Sequence, residues 1–230
     1  MPEVCYSYII PYGSVVIIHV VCRFKGVAVY LSVIKTLFHL GEQAWLEYTT
    51  TMKIVIASDI HGAEQPAARL REIVKEEKPE ALLLLGDILY HGPRNELPEG
   101  YCPKNVIKIL EDLKDMIIAV RGNCDAEVDQ MVLPFPIMSE CNTLFADNKR
   151  VFMTHGHIWS FDKHPEGIDV IMQGHTHIPS LEKRGSLLLL NPGSISLPKG
   201  GYPQSYAIWD AGKVEIRELI SGNILFSLQV

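Results

Sequence analysis

The chain has 230 residues, 47% of them hydrophobic and 21% charged, which is typical of a globular protein and sufficient for one well-buried α/β domain. Its net charge of −6 and pI near 5.8 argue against non-specific binding to nucleic acids or anionic membranes, because neither partner would attract an acidic surface. The five cysteines have no CxxC spacing, so we expect neither a disulfide framework nor a zinc knuckle, and free thiols indicate the cytoplasm.

Residues 1–51 differ in character from the rest of the chain. Their acidic and basic residues balance, so the whole net negative charge belongs to residues 52–230. Charged residues interrupt their apolar run, which leaves no uncharged window of about 18 residues for a transmembrane helix, and no signal-peptide pattern is visible. We expect the domain to begin at Met52 and residues 1–51 to be an N-terminal extension outside its fold. The alternative is a small N-terminal module.

From Met52 onward, predicted strands and helices alternate. They are, in order, strand KIVIAS, helix EQPAARLREIVKEEK, strand ALLLLGD, helix KNVIKILEDLK and strand MIIAVRGN. The strands are continuous apolar runs, which is typical of strands covered on both faces. The first helix has apolar residues at Ala67, Leu70, Ile73 and Val74, the spacing of an amphipathic helix. This β-α-β-α-β order predicts parallel strands with helical crossovers.

The second half of the chain is rich in predicted strands. Its apolar runs are RVFMTHG, DVIMQGHTH, SLLLLNPG, SYAIWDA, KVEIREL and ILFSLQV, and DAGK is typical of a hairpin turn between two of them. We therefore predict that the second half builds a second sheet, partly antiparallel, which packs against the first. One α/β domain would cover residues 52–230.

Polar side chains follow the predicted strands at their carboxyl ends. There are seven candidates: Asp59, His61, Asp87, Asn123, His155, His175 and His177. In open α/β sheets the functional site lies outside the carboxyl ends of the strands, so we expect these side chains to meet in one crevice. The two pairs with i, i+2 spacing would place both members on the same side of an extended chain.

These residue types indicate a metal site. A single histidine at a strand end is more simply a hydrogen-bonded surface residue, and Asp beside Gly is common in turns. The coincidence of so many in Gly-containing turns after apolar runs favours metal binding. Imidazole and carboxylate ligands fit Mn, Fe, Zn, Co or Ni better than Ca or Mg. Seven ligands are too many for one ion, so the set suits two ions that share a carboxylate.

The order of these motifs resembles the calcineurin-like metallophosphoesterases. The stretches that carry the resemblance are ASDIHG, LGDILYHGPRNELPEGY, VRGNCDAEVDQM, THGH, GHTHIP and NPGSISLPKGG. They extend over essentially all of residues 52–230 and are similar to the small bacterial phosphodiesterases of the YfcE type. The resemblance implies an α/β fold in which a two-sheet β-sandwich is flanked by helices, in agreement with the predicted elements.

The resemblance also implies a role for each candidate ligand. One ion would bind Asp59, His61 and His177, the other Asn123, His155 and His175, and Asp87 would bridge them. In the two-metal template, a metal-bridging hydroxide attacks phosphorus while the ions neutralise charge on the phosphoryl oxygens. Mn is the first choice of metal by resemblance, whereas the ligand types alone leave Fe, Zn, Co and Ni open.

Four residues are candidates for a catalytic role beyond metal ligation: Asn123, Cys124, Asp125 and Arg94. Asn123 would ligate an ion and also donate a hydrogen bond to the phosphoryl group. Asp125, two residues later, would orient a ligand or the loop. Arg94 and Arg121 are the cations expected to meet a substrate phosphate, with a structural ion pair as the alternative.

Cys124 stands where many metallophosphoesterases have the histidine of a GNH motif, which protonates the leaving group. We do not expect it to be a ligand, because neighbours on an extended chain face opposite ways, nor a nucleophile, because a metal-bound hydroxide would fill that role. A thiol with a pKa of about 8.5 can donate a proton at neutral pH, but it is a weaker hydrogen-bond donor than imidazole. It is therefore either a leaving-group acid or a small residue that fits the loop. Without a strong acid here, good leaving groups should be favoured.

The remaining predictions concern the residues around the crevice. His91 and His157 are expected to line it, and the turn NPGS at 191–194 to support its floor. The loops 90–103 and 197–203, rich in Pro and Gly, should set substrate specificity.

The predicted function is a dinuclear-metal phosphodiesterase acting on a small phosphodiester substrate. The alternatives are a phosphomonoesterase or nucleotide hydrolase on the same centre, or a non-catalytic scaffold subunit of this fold. We expect no stable nucleic-acid binding and no membrane partner, and the sequence leaves open whether the protein forms a homo-oligomer.

Overall fold

The computed structural model describes residues 3–12, 15–24 and 27–36 as backbone strands and residues 52–230 in full. The chain divides into two compact units, Met1–Thr51 and Met52–Val230. In the first, strands β1 (Glu3–Tyr12), β2 (Val15–Phe24) and β3 (Val27–Thr36) form an antiparallel sheet in sequence order. That residues 1–51 are an extension outside the domain stays a prediction. No helix among the described residues is long and apolar enough to cross a membrane.

The second unit begins with the predicted β-α-β-α-β pattern. Strand β4 (Ile54–Ala57), helix α1 (Glu64–Glu77), strand β5 (Ala81–Leu84), helix α2 (Pro103–Glu111), a 3₁₀ turn (Lys114–Met116) and strand β6 (Ile117–Ala119) follow one another. β4, β5 and β6 pair in parallel, which confirms the prediction of helical crossovers.

The second half adds a short helix and eight strands to this unit. They are α3 (Glu127–Gln130), β7 (Cys141–Ala146), β8 (Lys149–Thr154), β9 (Val170–Met172), β10 (Ser180–Arg184), β11 (Leu187–Asn191), β12 (Ser205–Asp210), β13 (Lys213–Glu218) and β14 (Ile224–Gln229). One mixed sheet has the order β14-β13-β12-β4-β5-β6 and the other the order β10-β11-β9-β8-β7. The predicted hairpin at DAGK is confirmed, because Asp210 pairs with Lys213 across the turn.

The structure differs from the sequence prediction in where the last three strands go. β12 pairs antiparallel with β4, so β12, β13 and β14 extend the first sheet instead of building the second. Hydrophobic pattern cannot distinguish the two places, because a buried strand is apolar in either sheet. The edge strands β7 and β10 were not predicted, since their mostly exposed or half-exposed residues give no strong alternation.

The two sheets form a sandwich whose layers follow from strand alternation. Ile54 and Ile56 of β4 belong to the core between the sheets, whereas Val55 and Ala57 pack toward the helices. This confirms the predicted two-sheet sandwich. The helices α1 and α2 cover the first sheet, while the outer face of the second sheet packs against Trp159 and other residues of the irregular segment 156–168.

Candidate metal centre

The seven predicted ligands lie in the loops that follow β4, β5, β6, β8 and β9, and the structure brings them together. Ligand atoms of Asp59, His61 and His177 lie within 4.8 Å of one another, and so do those of Asp59, Asp87 and His155. Both sheets contribute, since β8 and β9 belong to the second sheet. The crevice is therefore built from the carboxyl ends of strands in two layers.

Most of these residues have a left-handed backbone. The positive φ values are 57° for Asp59, 49° for His61, 54° for Asp87, 68° for His175 and 60° for His177. The expectation that each i, i+2 pair converges because the chain is extended is therefore wrong. Non-glycine residues in this region cost about 1–3 kcal/mol each and persist only where the surroundings hold them. Here the loops are held by neighbouring strand ends, for example by hydrogen bonds from the Asp59 and His61 amides to the carbonyls of Gly86 and Asp87.

The first ligand group contains Asp59, His61 and His177, all fully or almost fully buried. Asp59 Oδ1 lies 3.3 Å from His177 Nε2 and 3.7 Å from His61 Nε2. Burial alone would raise the pKa of Asp59, but the two imidazole rings outweigh it and hold the pKa of this carboxyl well below its usual range.

The second ligand group contains Asn123, His155 and His175. His155 Nε2 lies 3.1 Å from Asn123 Oδ1 and 3.2 Å from His175 Nδ1. His155 is buried, His175 is half-buried and Asn123 is exposed. This group therefore faces the solvent side of the crevice.

Asp87 lies between the two groups. Its Oδ2 is 3.7 Å from His61 Nε2 on one side and 3.4 Å from His155 Nε2 on the other. Burial opposes its charge, but His155 outweighs this effect and the pKa of Asp87 is lowered. The same pair raises the pKa of His155 to about 9, against the effect of burial. Both shifts show that this crevice favours added positive charge.

The hydrogen bonds of three histidines fix which nitrogen faces the crevice. The Nδ1 atoms of His61, His155 and His177 lie 2.8, 2.6 and 2.6 Å from backbone carbonyl oxygens, which can only accept. Each Nδ1 therefore carries a proton, so Nε2 is the nitrogen that faces the crevice and would offer its lone pair to a metal ion, the arrangement typical of metal-binding histidines.

Two further observations test whether this crevice fits a cation. His61 Nε2 and His177 Nε2 lie 3.2 Å apart, so a proton or a metal ion must lie between them, because two facing lone pairs would repel each other. The buried Asp59 Oδ1 has no hydrogen-bond partner, which is costly without a ligand. The residues present therefore fit a divalent metal with mixed oxygen and nitrogen ligands.

Asp125 is a positioning residue in this geometry. Its buried carboxylate accepts hydrogen bonds from the amides of Asp87 (2.9 Å), Ile88 (2.8 Å) and Gly122 (2.7 Å). It therefore ties the loop after β5 to the loop after β6. A Cβ atom on Gly122 would collide with the Asp87 carboxylate, so this close approach requires glycine.

Cys124 lies closer to the crevice than the sequence suggested. Its Sγ is within 4.8 Å of ligand atoms of His61 and Asp87, and Asn123 Nδ2 donates to it at 3.2 Å. The expectation that neighbours Asn123 and Cys124 face opposite ways is therefore wrong, because this turn is not extended. Burial and the Asp87 charge raise the pKa of the Cys124 thiol to about 12, so in the metal-free crevice the thiol is protonated and is a weak acid.

A cavity of about 360 Å³ opens over the ligands. Arg94 lines it, as predicted, and so does Lys199, which the sequence analysis did not single out although it lies in the predicted specificity loop 197–203. Arg121 does not line this cavity; its Nε instead donates to the backbone oxygen of Asp125 at 3.2 Å. Arg121 thus matches the structural alternative, although its partner is a carbonyl and not an acidic side chain.

Of the two histidines expected to line the crevice, one lies beside the second ligand group and the other does not line the cavity. The exposed His157 ring lies 5.4 Å from the ring of His155, at the edge of the second ligand group. His91 does not line the cavity and instead packs edge-on against Tyr90 and Tyr101.

The turn at 191–194 supports the floor of the crevice, which confirms the prediction. The hydroxyls of Ser194 and Ser196 each donate to the carbonyl oxygen of Asp59 at 2.8 Å. Asn191 Nδ2 donates to the carbonyl of Gly174 and to the hydroxyl of Thr176, both at 2.9 Å. Strand β11 therefore fixes loops that carry ligands from both sheets.

Comparison with known proteins assigns the family. The family model described as a calcineurin-like phosphoesterase superfamily domain matches residues 52–213. The chain belongs to this superfamily and is a metal-dependent phosphoesterase of the hydrolase class.

Individual relatives extend the match to nearly the whole second unit. Phosphodiesterase YfcE of Escherichia coli K12 is 42% identical over 181 residues, which cover 78% of this chain and 98% of the relative. Phosphodiesterase MJ0936 of Methanocaldococcus jannaschii is 30% identical, covering 74% and 99%. The solved structure of E. coli YfcE, described as a phosphoesterase, matches with a TM-score of 0.76 over 78% of this chain and 100% of its own. Vacuolar Protein Sorting 29 of Cryptosporidium parvum shares the fold at 16% identity and a TM-score of 0.56, covering 78% and 99%.

Proposed function

We propose that this protein hydrolyses small phosphate diesters at a centre of two divalent ions. The observation that carries the proposal is the position of Asp87 Oδ2, which lies within 3.7 Å of one ligand group and 3.4 Å of the other. A single carboxylate oxygen between two sets of nitrogen and oxygen ligands suits two ions that share it. The relatives named phosphodiesterases in a bacterium and an archaeon support the choice of diesters.

Under this proposal Asp59, His61 and His177 would hold one ion, Asn123, His155 and His175 would hold the other, and Asp87 would serve both. When bound, such ions lower the pKa of water and stabilise negative charge on phosphoryl oxygens. Mn is the first choice of metal by resemblance to the YfcE-type phosphodiesterases, and imidazole, carboxylate and amide donors leave Fe, Zn, Co and Ni as alternatives.

The remaining residues of the crevice bind and orient the substrate. Arg94 and Lys199 line the cavity over the ligands, where their charges attract the anionic phosphodiester. The exposed Asn123 can donate a hydrogen bond to a phosphoryl oxygen. The Cys124 thiol next to it can donate a hydrogen bond to the leaving oxygen, although a thiol is a weaker donor than imidazole. This favours esters whose leaving groups need little protonation.

The test begins with the full chain stripped of metal by a chelator and dialysed with Mn²⁺ or with one of the alternative metals. Turnover of bis-4-nitrophenyl phosphate and of 4-nitrophenyl phosphate is measured together with the number of ions bound per chain. We expect metal-dependent turnover of the diester, little turnover of the monoester, and two ions per chain. Turnover confined to the monoester would contradict the diesterase proposal, and absence of turnover with every metal would favour a non-catalytic scaffold.

A further inference from the structure

We propose that an apolar groove beside the metal centre binds one ester group of the substrate and that this group is an aryl or alkyl group. This inference rests on the proposed phosphodiesterase function. The apolar groove has a volume of about 440 Å³, within the range of small-molecule sites. The residues that define it are Tyr90, Tyr101, Ile107, Cys124, Val128 and Val132.

The apolar groove adjoins the metal centre at two residues. Cys124 lines the groove, and its Sγ lies within 4.8 Å of ligand atoms of His61 and Asp87. Tyr90 also lines the groove, and its carbonyl oxygen holds His61 Nδ1 at 2.8 Å. A phosphate ester bound at the metal centre would therefore have the groove on its Cys124 side.

The two sides of the centre differ in chemistry. Arg94 and Lys199 line the cavity over the ligands, where they suit the charged phosphoryl oxygens. In the groove, by contrast, Tyr90, Val128 and Val132 are 42%, 63% and 48% exposed. Clustered apolar side chains left in water mark a binding surface, because covering them releases hydrophobic free energy. The phosphoryl oxygens thus meet cations, whereas one ester group meets an apolar wall.

The aromatic wall of the groove is already formed. The His91 ring lies edge-on between Tyr90 and Tyr101, and its centre is 4.7 Å from the centre of the Tyr90 ring and 5.3 Å from that of the Tyr101 ring. The Cys102 amide, next to Tyr101, donates to the carbonyl of Gly62 at 2.8 Å, which fixes this part of the loop to the start of α1. A groove that is preformed binds its ligand without the cost of ordering side chains.

Charge in the groove does not oppose an apolar ligand. Asp129 is the acidic residue among those lining it, and its carboxylate accepts a hydrogen bond from the Ala126 amide at 2.9 Å, at the start of α3. This carboxylate is therefore engaged in capping a helix. The groove offers contact area more than hydrogen bonds, as an aryl or alkyl ester requires.

The test uses the full chain loaded with Mn²⁺ and a series of alkylphosphonates from methyl to octyl. The phosphonate is a probe for the metal centre, and the lengthening chain is a probe for the groove. Inhibition constants against bis-4-nitrophenyl phosphate and dissociation constants from calorimetry are measured. We expect binding to tighten by about threefold for each methylene that enters the groove. Affinity that does not depend on chain length would overturn the proposal.

Variants assign the chain-length effect to the groove. The double variant Val128→Ser/Val132→Ser changes exposed side chains, so the fold should persist, which a thermal melt checks. We expect the double variant to lose most of the increase in affinity for each added methylene. Ile220 is a similarly exposed apolar residue outside the groove, so Ile220→Ser should keep the full increase. An unchanged gain in the double variant would overturn the assignment.

Two further readouts separate this proposal from its alternatives. If the groove instead binds a second copy of the chain, the wild-type protein should be a dimer that shows no chain-length gain, and the double variant should be a monomer. That result would overturn the proposal. Metal-dependent diester turnover without a chain-length gain overturns the groove alone. Loss of all turnover with every metal contradicts the proposed function itself.

Discussion

The two ligand groups of the crevice differ most in their access to water. Asp59, His61 and His177 are at most 2% exposed, whereas Asn123 is exposed and His175 is half-buried. Removing water strengthens the attraction between a cation and its ligands. The buried group should therefore hold its ion tightly, while the open group should exchange its ion more readily and meet the substrate.

The largest effect should come from the residue that belongs to both groups. Asp87→Asn would remove the negative ligand that the proposal shares between two ions, so we expect loss of at least one ion and a fall in diester turnover of more than about a hundredfold. Circular dichroism should show that the fold survives. Full activity with two ions bound in this variant would refute the sharing of Asp87.

The comparison between the groups becomes sharper with one variant in each. His177→Ala opens a gap in the buried group, where water cannot easily enter, so we expect its ion to be lost even in excess Mn²⁺. His175→Ala lies in the open group, where water can take the ligand position, so excess Mn²⁺ should restore part of the activity. Titrating Mn²⁺ against turnover for both variants measures the difference. Equal rescue of the two would contradict the distinction between buried and open groups.

Asp125 should affect both groups through their loops. Asp125→Ala leaves three buried amides without an acceptor, at about 1–3 kcal/mol each, so we expect a clear fall in the free energy of unfolding. Asp125→Asn keeps one acceptor oxygen and should lose less stability, with about a 10- to 100-fold loss in metal affinity. Denaturant unfolding and metal titration of both variants test this. Unchanged metal affinity in both would show that the carboxylate does not position the ligands.

Arg94 acts on the open side of the crevice. Arg94→Ala should raise KM for the diester by about tenfold, the effect of removing a charged hydrogen bond, while two ions stay bound. Arg184→Ala, which removes an exposed arginine paired on the surface, serves as the matched control and should leave KM unchanged. A normal KM for Arg94→Ala would mean that this cation does not meet the phosphate.

The smallest effect is expected at Cys124. Because a thiol is a weaker hydrogen-bond donor than imidazole, Cys124→Ala should change turnover of a nitrophenyl diester by less than about tenfold, below the usual contribution of a general acid. Cys124→His should help most with esters of poor leaving groups, where a proton is needed. Equal rates for both variants on good and poor leaving groups would dismiss a catalytic role.

The sequence predicted which side chains meet in the crevice, because chain order carries that information. Each candidate follows an apolar run, and parallel strands bring their carboxyl ends to one edge. The left-handed backbone of residues such as Asp59 and His175 could not be read from the sequence, because tertiary hydrogen bonds impose it. The place of β12 beside β4, and of Lys199 in the same cavity as Arg94, depends on long-range packing that no local pattern encodes.

The sharing of Asp87 between two ions is tested most directly by the anomalous scattering of a Mn²⁺-loaded crystal. We expect two peaks, one among Asp59, His61 and His177 and one among Asn123, His155 and His175, with the Asp87 carboxylate touching both. A single peak at full Mn²⁺ occupancy, or two peaks of which only one contacts Asp87, would contradict the account.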